Sequence, residues 1–470
     1  MCHRLQQKDG FDHICPVLLQ HDAAGSGHQR LFSHDVETAC HRVAARVGAW
    51  PIVAVWPNVW SGTWMSDASV TAATPERAPG RLAPLSGGQP IVLGAGSLLL
   101  ATGAGFLAAE AGWRQASLFV IGGLLGLALY HASFGFTAAW RRFITERRGS
   151  GLRAQMVMLA IAVALFFPML QAGSVFGRPV SGFVMPAGTS VLVGAFMFGI
   201  GMQLGGGCGS GTLFTVGGGS TRMVITLAFF ILGSLIATHH LGWWLRLPAF
   251  APTSVRTELG LWPGMLLSFA LFACIALASW WLERRRHGAA PLFGPAAPNG
   301  LSLPQRMLRG PWPILWGAVG LALLAALTLA VKGAPWGITS AFALWGAKIA
   351  MAVGWDVSSW EYWVGQGRAL AAPVYADTTS VMDFGILLGA FLAAGLAGKF
   401  APIWSIPARS MLAAVLGGIL LGYGARLAFG CNIGAFFSGI ASGSLHGWFW
   451  LAAAFVGNVA GTRLRLVFRI

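Results

Sequence analysis

Charge is what this chain has least of. Asp, Glu, Lys and Arg make up 10% of its 470 residues, against about 25% in ordinary soluble domains, so water is not the main solvent of the folded chain. No C-x-x-C pair occurs among the six cysteines, Cys2, Cys15, Cys40, Cys208, Cys274 and Cys431, which removes the spacing of a zinc site or a redox dithiol. A disulfide scaffold is excluded too, because such frameworks belong to small secreted domains short of core. No Walker A sequence is present, so ATP would have to come through a partner; neither a cofactor nor a resident metal is signalled. The formal net charge of +16 does not indicate nucleic acid, since there is no basic helix with interleaved aromatics and no RNA-binding signature.

Apolar runs are what the chain has most of. From about residue 90 onward, stretches of the roughly 20 residues that cross a bilayer recur near 90–109, 116–133, 154–172, 190–206, 221–241, 262–282, 312–332, 383–398, 410–425 and 446–462. Segments around 134–145 and 338–354, and two Gly-Cys motifs, are too short or too Gly-rich to cross alone and read as broken or re-entrant helices. The expected fold is an all-α polytopic membrane protein, an inverted-repeat helical bundle of about ten spans. The loops set its orientation. With the N-terminus in the cytoplasm, fifteen Lys and Arg residues fall inside (between Arg141 and Arg153, Arg284 and Arg309, Lys399 and Arg409, Arg463 and Arg469) and six outside (Arg114, Arg178, Arg246, Arg256, Lys332, Arg368). The expectation is a multi-pass protein of the cell inner membrane with both termini cytoplasmic.

Residues 1–88 are of another kind. They hold six of the eleven histidines and no sustained helical or strand period, which reads as a disordered extension. The polar run from Met65 to Pro84 looks like an ordinary leader before a first span, so translation is expected to start at Met65. The remainder divides into a first membrane repeat with flanking spans (89–283), a cytoplasmic linker (284–311) and a second repeat (312–470).

Self-similarity is the strongest signal. Gly201–Gly211 (GMQLGGGCGSG) and Gly424–Gly434 (GARLAFGCNIG) both fit G-x-x-L-x-x-G-C-x-x-G, which puts Cys208 and Cys431 at one position. Each is followed by a Gly-Ser pair ending in Ser220 or Ser444, then by Gly233 or Gly457 and by Thr238 or Thr462 at matching distances. Upstream, Gly135–Ala139 and Gly337–Ala341 share G-[FI]-T-x-A, with Thr137 matched to Thr339. The stretch after the first of these is rich in Arg and the stretch after the second holds Asp356, Glu361 and Asp377, as expected for copies of opposite topology. Gly-rich breaks within spans are tolerated where backbone is buried in protein or lines a polar cavity, so the two Gly-Cys turns are candidates for the centre of a path.

At these residues the chain resembles the YeeE/YedE family of sulfur-transport membrane proteins. The likeness runs from about residue 90 to the end and is carried by Gly205–Thr212 (GGGCGSGT), Gly424–Gly434 and Ser133–Phe143 (SFGFTAAWRRF). It implies an inverted-repeat fold and uptake of thiosulfate or a related sulfur compound, with Cys208 and Cys431 matching the family's two central cysteines. Some members carry a further cysteine in the first short motif, where this chain has Gly135, Phe136 and Thr137; a three-cysteine relay in that form is absent here. Transport of a selenium compound, and a membrane sulfurtransferase working through a cysteine persulfide, stay open beside thiosulfate uptake. The partners expected are the small sulfur-containing anion and the lipid bilayer, with a soluble cytoplasmic sulfur-carrier protein an open third; nucleic acid is not among them.

A dianion such as thiosulfate is costly to desolvate in hydrocarbon, so its path must supply donors. Helix N-termini at Gly-rich turns offer free N–H groups and a positive dipole end, and thiols add polarisable sulfur. The expected substrate path therefore takes in Cys208, Cys431, Gly207, Gly209 and Gly430, the cation Arg426, and the hydroxyls of Ser220, Ser444, Thr137 and Thr339. Arg222, Lys348 and His446 lie near the motifs, and Cys274 reads as a packing or lipid-facing residue. With Asp383 read as sitting at a span edge and Glu110 at a span end, no span interior holds a carboxylate, which favours a channel-like route over a carboxylate-coupled one.

Overall fold

A computed structural model describes residues 88–293 and 302–470; the expectations for the N-terminal extension and for Met65 lie outside the described residues. Among the described residues, ten helical segments are long and apolar enough to cross a membrane, and each coincides with one of the ten apolar runs. Helix α1 (Pro90–Glu110) comes first. The first copy of the repeat follows as α2 (Trp113–His131), the short α3 (Phe136–Glu146), α4 (Ser150–Ala172), α5 (Thr189–Gly205), the short α6 (Gly209–Gly217) and α7 (Thr221–Leu245). After the five-residue α8 (Val255–Leu259), helix α9 (Leu261–His287) and α10 (Leu303–Arg309) lead to the second copy. That copy is α11 (Ile314–Lys332), the short α12 (Thr339–Ala352), then, past α13 (Gly367–Ala371), α14 (Thr378–Leu396), α15 (Ala408–Leu427), a wide π-type turn over Asn432–Ser438 with one further turn at Gly439–Ala441 (α16), and α17 (Leu445–Phe468).

The order is long, short, long, long, half-helix, long in both copies. Five candidate crossings lie between the start of α2 and the start of α11; the odd number sends the second copy through the bilayer the opposite way. The copies are interlocked. Helix α2 packs on α14 and α11 on α4; α5 packs on α17 and α15 on α7; α5 and α15 pack on each other. Exchanging the copies turns each of these pairs into another, which is the pattern of a two-fold axis passing between α5 and α15.

Glycine makes these approaches possible. In the register that aligns Cys208 with Cys431, Gly194 matches Gly417 and Gly201 matches Gly424. The contacts are Gly194 with the Gly424 carbonyl, where a methyl would lie 2.8 Å from the oxygen, and Gly201 with the Gly417 carbonyl at 2.9 Å. One contact is the two-fold image of the other. The same holds one layer out: Gly199 lies against the Ala454 carbonyl and Gly457 against that of Phe196, while Gly422 lies against Phe230 and Gly233 against Ile419. This explains the matched spacing of Gly233 and Gly457, for both are points where one backbone rests on another.

The first copy is also tied to α9 by charge. Arg153, in the first turn of α4 and 1% exposed, donates to Glu283 at 2.7 Å, and its guanidinium also donates to the Leu292 and Pro291 carbonyls at 2.6 and 3.2 Å. The same carboxylate accepts the Gly149 N–H at 2.9 Å. The sequence reading gave Arg153 to a cytoplasmic loop and ended the repeat at residue 283; α9 instead runs to His287, which brings Glu283 inside the helix. Cys274 is exposed on α9, consistent with a lipid-facing position. Glu283→Ala leaves a buried guanidinium without its counter-charge, a loss of about 3–5 kcal/mol. The expected outcome is a clearly lower melting temperature of the purified, detergent-solubilised protein, with Arg153→Met/Glu283→Leu melting higher than the single variant.

Candidate functional site

Both Gly-Cys motifs fold into the same turn. Helix α5 ends in a left-handed residue, Gly206 (φ +92°), and α15 is followed at the equivalent place by Phe429 (φ +58°). Two residues on, Cys208 caps α6 with φ −92° and ψ −166°, and Cys431 caps the π-type turn with φ −98° and ψ −166°. Each thiol thus stands at the N-terminus of a short helix, where unpaired N–H groups point outward. At Cys208 the sulfur accepts the Gly211 N–H at 3.4 Å and lies 3.5 Å from Ser210 Oγ. At Cys431 the carbonyl accepts from Ala435 N–H at 2.9 Å and from Phe436 N–H at 3.4 Å, the longer bond opening the turn.

The two turns meet. A methyl on Gly209, the residue after Cys208, would lie 2.8 Å from Cys431 Sγ and 3.4 Å from Ile338 Cγ2. The position equivalent to Gly209 is filled by Asn432, which is completely buried and has no partner for either its amide oxygen or its amide nitrogen. A buried amide with both ends unsatisfied is costly, and this one directly follows Cys431 where the first copy has a glycine. Cys208 and Cys431 are 1% and 0% exposed, so the thiols are closed off from both surfaces in this conformation.

On one side of the paired turns stands Arg426, 7% exposed, donating to Tyr362 Oη at 2.9 Å and to Thr339 Oγ1 at 3.3 Å; its Nε has no partner. The equivalent residue in the first copy is Gln203, which donates to the Thr137 carbonyl at 3.2 Å and to Asn458 Oδ1 at 2.7 Å. The matched threonines of the two G-[FI]-T-x-A motifs are therefore the partners of matched residues, but one copy presents a cation and the other a neutral amide. Near Gln203, Arg222 donates to the Gly205 and Leu204 carbonyls, both at 2.7 Å, and Arg465 to the Gln203 carbonyl at 2.9 Å. Guanidinium groups thus flank the turns on both sides.

Of the residues expected on the path, the structure brings Cys208, Gly209 and Cys431 into one cluster. Gly207 and Gly430 sit in the turns themselves, where a methyl would meet the backbone of Gly211 at 3.1 Å or of Ala435 at 2.8 Å. Thr339 is joined to the turns through Arg426, and Thr137 through Gln203. Ser220 and Ser444 cap α7 and α17. The Ser444 hydroxyl lies 2.6 Å from His446 Nδ1 and accepts the Met185 N–H at 3.4 Å. Lys348 donates to the Leu370 and Ala372 carbonyls at 2.7 and 2.6 Å.

Sequence reasoning passed over Asn432, Gln203, Asn458 and Tyr362. Gln203 and Asn432 could have been found, because each is the polar residue at a motif position that the other copy fills differently. The placement of Asp383 is corrected: α14 begins at Thr378, not at 383, because the Asp377 carboxylate caps it by accepting Ser380 N–H at 2.7 Å and Ser380 Oγ–H at 2.6 Å. Asp383 therefore lies inside a spanning helix, 0% exposed. Among the described residues no group of three or more His, Cys, Asp or Glu side chains is placed to hold a metal ion.

Two interlocked helical copies of opposite sense, each bringing a broken span to the middle, define a membrane protein of the inverted-repeat class used by transporters. The chain belongs to the sulphur transport family, whose model matches residues 131–460. Over 161 residues it is 31% identical to a probable transporter YedE of Escherichia coli K12, across 34% of this chain and 40% of that protein. It is 27% identical over 362 residues to the thiosulfate transporter TsuA of Spirochaeta thermophila, across 72% of this chain and 95% of the relative. With the Escherichia coli TsuA the identity is 23% over 345 residues, across 72% and 91%. The chain thus spans two fifths of the YedE relative it matches and nearly all of the TsuA relatives.

The contact between turns yields a paired test. Gly209→Ala forces a methyl against the Cys431 sulfur, an overpacking worth about 1–3 kcal/mol, whereas Gly434→Ala adds a methyl with nothing within 4 Å. Melting of the purified variants is expected to show a loss for the first and a change within about 0.5 kcal/mol for the second.

Proposed function

We propose that this protein takes up a small sulfur-containing anion, thiosulfate foremost, along a path that runs through the two Gly-Cys turns. The observation that carries the reading is the meeting of the turns, with Gly209 against Cys431 and each cysteine at the start of a half-helix. Such N-termini replace part of an anion's water shell with fixed N–H groups. The thiols and the unpartnered Asn432 amide add donors that suit a terminal sulfur as well as an oxygen. Arg426 on one side and Arg222 with Arg465 on the other raise the local concentration of anions. Names given to the TsuA relatives point the same way.

In this reading the protein lies in the inner membrane with both termini in the cytoplasm, so that Arg426 and Tyr362 face the outer approach and Gln203, Arg222 and Arg465 the inner one. The closed thiols belong to an intermediate between outward- and inward-open forms. A soluble sulfur carrier would receive the anion on the cytoplasmic side.

Uptake of thiosulfate labelled on both sulfur atoms, in cells lacking other importers, tests the proposal. Cys208→Ser and Cys431→Ser are each expected to lower the initial rate about tenfold or more, the equivalent of about 1.4 kcal/mol at the barrier. Arrival of both sulfur atoms in one molecule separates transport from sulfur transfer through a persulfide; wild-type rates in both variants would remove the cysteines from the path. A parallel run with selenosulfate asks whether the terminal chalcogen is discriminated. For Arg426→Gln, which copies the first half's Gln203, a higher apparent KM with a retained melting temperature is expected, because a buried cation that concentrates the anion is lost while the Thr339 partner can still be reached.

A further inference from the structure

The paired-cysteine path leaves one buried group unexplained. Asp383 lies on α14 beyond its first turn, fully buried, and neither carboxylate oxygen has a hydrogen-bond partner. An unpaired carboxylate is rare inside spanning helices and marks proton or ion pathways where it occurs. The groups near it are few. Lys332, at the end of α11, and Asp377, the cap of α14, act on it electrostatically, and it acts in turn on Cys431.

The remaining titratable groups on elements packed against α14 are committed elsewhere or distant. From α2, Arg114 donates to the Val331 and Lys332 carbonyls, and Tyr130 and His131 lie at the helix's far end. From α12, Lys348 is held by the Leu370 and Ala372 carbonyls. Glu110 ends α1, Tyr375 lies in the turn Val374–Ala376, and Arg306 and Arg309 lie on α10. From α6 the nearest such group is its cap, Cys208. Lys332 itself reaches Thr379 Oγ1 at 3.3 Å rather than the carboxylate. Asp383 is thus the acid set between the Lys332 end of the bundle and the thiol of Cys431, with no fixed partner for either oxygen.

We propose that Asp383 is the proton carrier of the path: it takes a proton from the side on which Lys332 lies, keeps it while the anion passes Cys431, and releases it when the path opens to the other side. This rests on the reading of the protein as an anion uptake transporter. The physical need is plain, since each charge of a dianion works against an inside-negative membrane potential, and a co-transported proton removes part of that load. In the closed form a proton on Asp383 spares the bundle an unpaired buried charge.

The test uses the purified full-length protein in proteoliposomes holding a trapped pH dye, with the potential clamped at zero and labelled thiosulfate outside. Without a pH gradient, wild type is expected to equilibrate thiosulfate; failure here sinks the transport reading and this proposal with it. With the outside one pH unit more acid, accumulation is expected to rise several-fold, toward the ~10-fold ceiling of one proton per anion, and the interior is expected to acidify when thiosulfate is added. Asp383→Asn should still equilibrate thiosulfate yet lose both responses. Equilibration by wild type without either response overturns the proton role and leaves the transport reading standing, as does an Asp383→Asn protein that keeps both. Where Asp383→Asn does not fold, a carbodiimide that reacts with buried protonated carboxyls is applied to wild type. Loss of the pH response in step with a mass-spectrometric adduct on Asp383 supports the proposal, and a full adduct with the response intact overturns it.

Discussion

Backbone resting on backbone is the constraint from which the rest of this structure follows. Helices that carry ordinary side chains keep their axes 8–10 Å apart, and small residues at the interface let backbones approach more closely. Here α5 and α15 meet through Gly194, Gly201, Gly417 and Gly424, and the next helices out meet them through Gly199, Gly457, Gly233 and Gly422. The same two helices lead into the turns in which Gly209 lies against Cys431.

Symmetry fixes the frame and its breaking supplies chemistry. Cys208 and Cys431 share their backbone conformation to within a few degrees, yet the positions around them differ: Gly209 against Asn432, Gln203 against Arg426, Arg222 against His446. Where the second copy places Arg426 against Tyr362 and Thr339, the first places Gln203 against Asn458 and the Thr137 carbonyl.

Much of the frame was legible because hydrocarbon imposes a simple rule on sequence: ten apolar runs became ten spanning helices, and the segments too short to cross became α3, α12 and the cysteine half-helices. The equivalence of Cys208 and Cys431 was legible through the repeat. Pairings between helices were not, because a glycine in a row of letters does not say which carbonyl it faces. The Arg153–Glu283 pair joins residues far apart in sequence, and nothing local marks either as the other's partner. Asp383 was misplaced for a physical reason: the polar start of α14, Asp377 to Ser380, reads as loop by hydropathy, whereas it is a helix cap whose aspartate holds the first turn. The same stretch shows that D-T-T-S before an apolar run was a readable capping signal.

The glycine contacts cross between the copies far more than they stay within one, and this bears on how the chain is made. When the first copy has entered the membrane, the grooves at Gly194, Gly199 and Gly201 face acyl chains, since α15 and α17 have yet to be synthesised. Lipid fills such a notch poorly, and the Gly-Cys turn behind it has no protein to shield its polar backbone. The early half is therefore incomplete by itself, its glycine faces being surfaces that only the later copy covers.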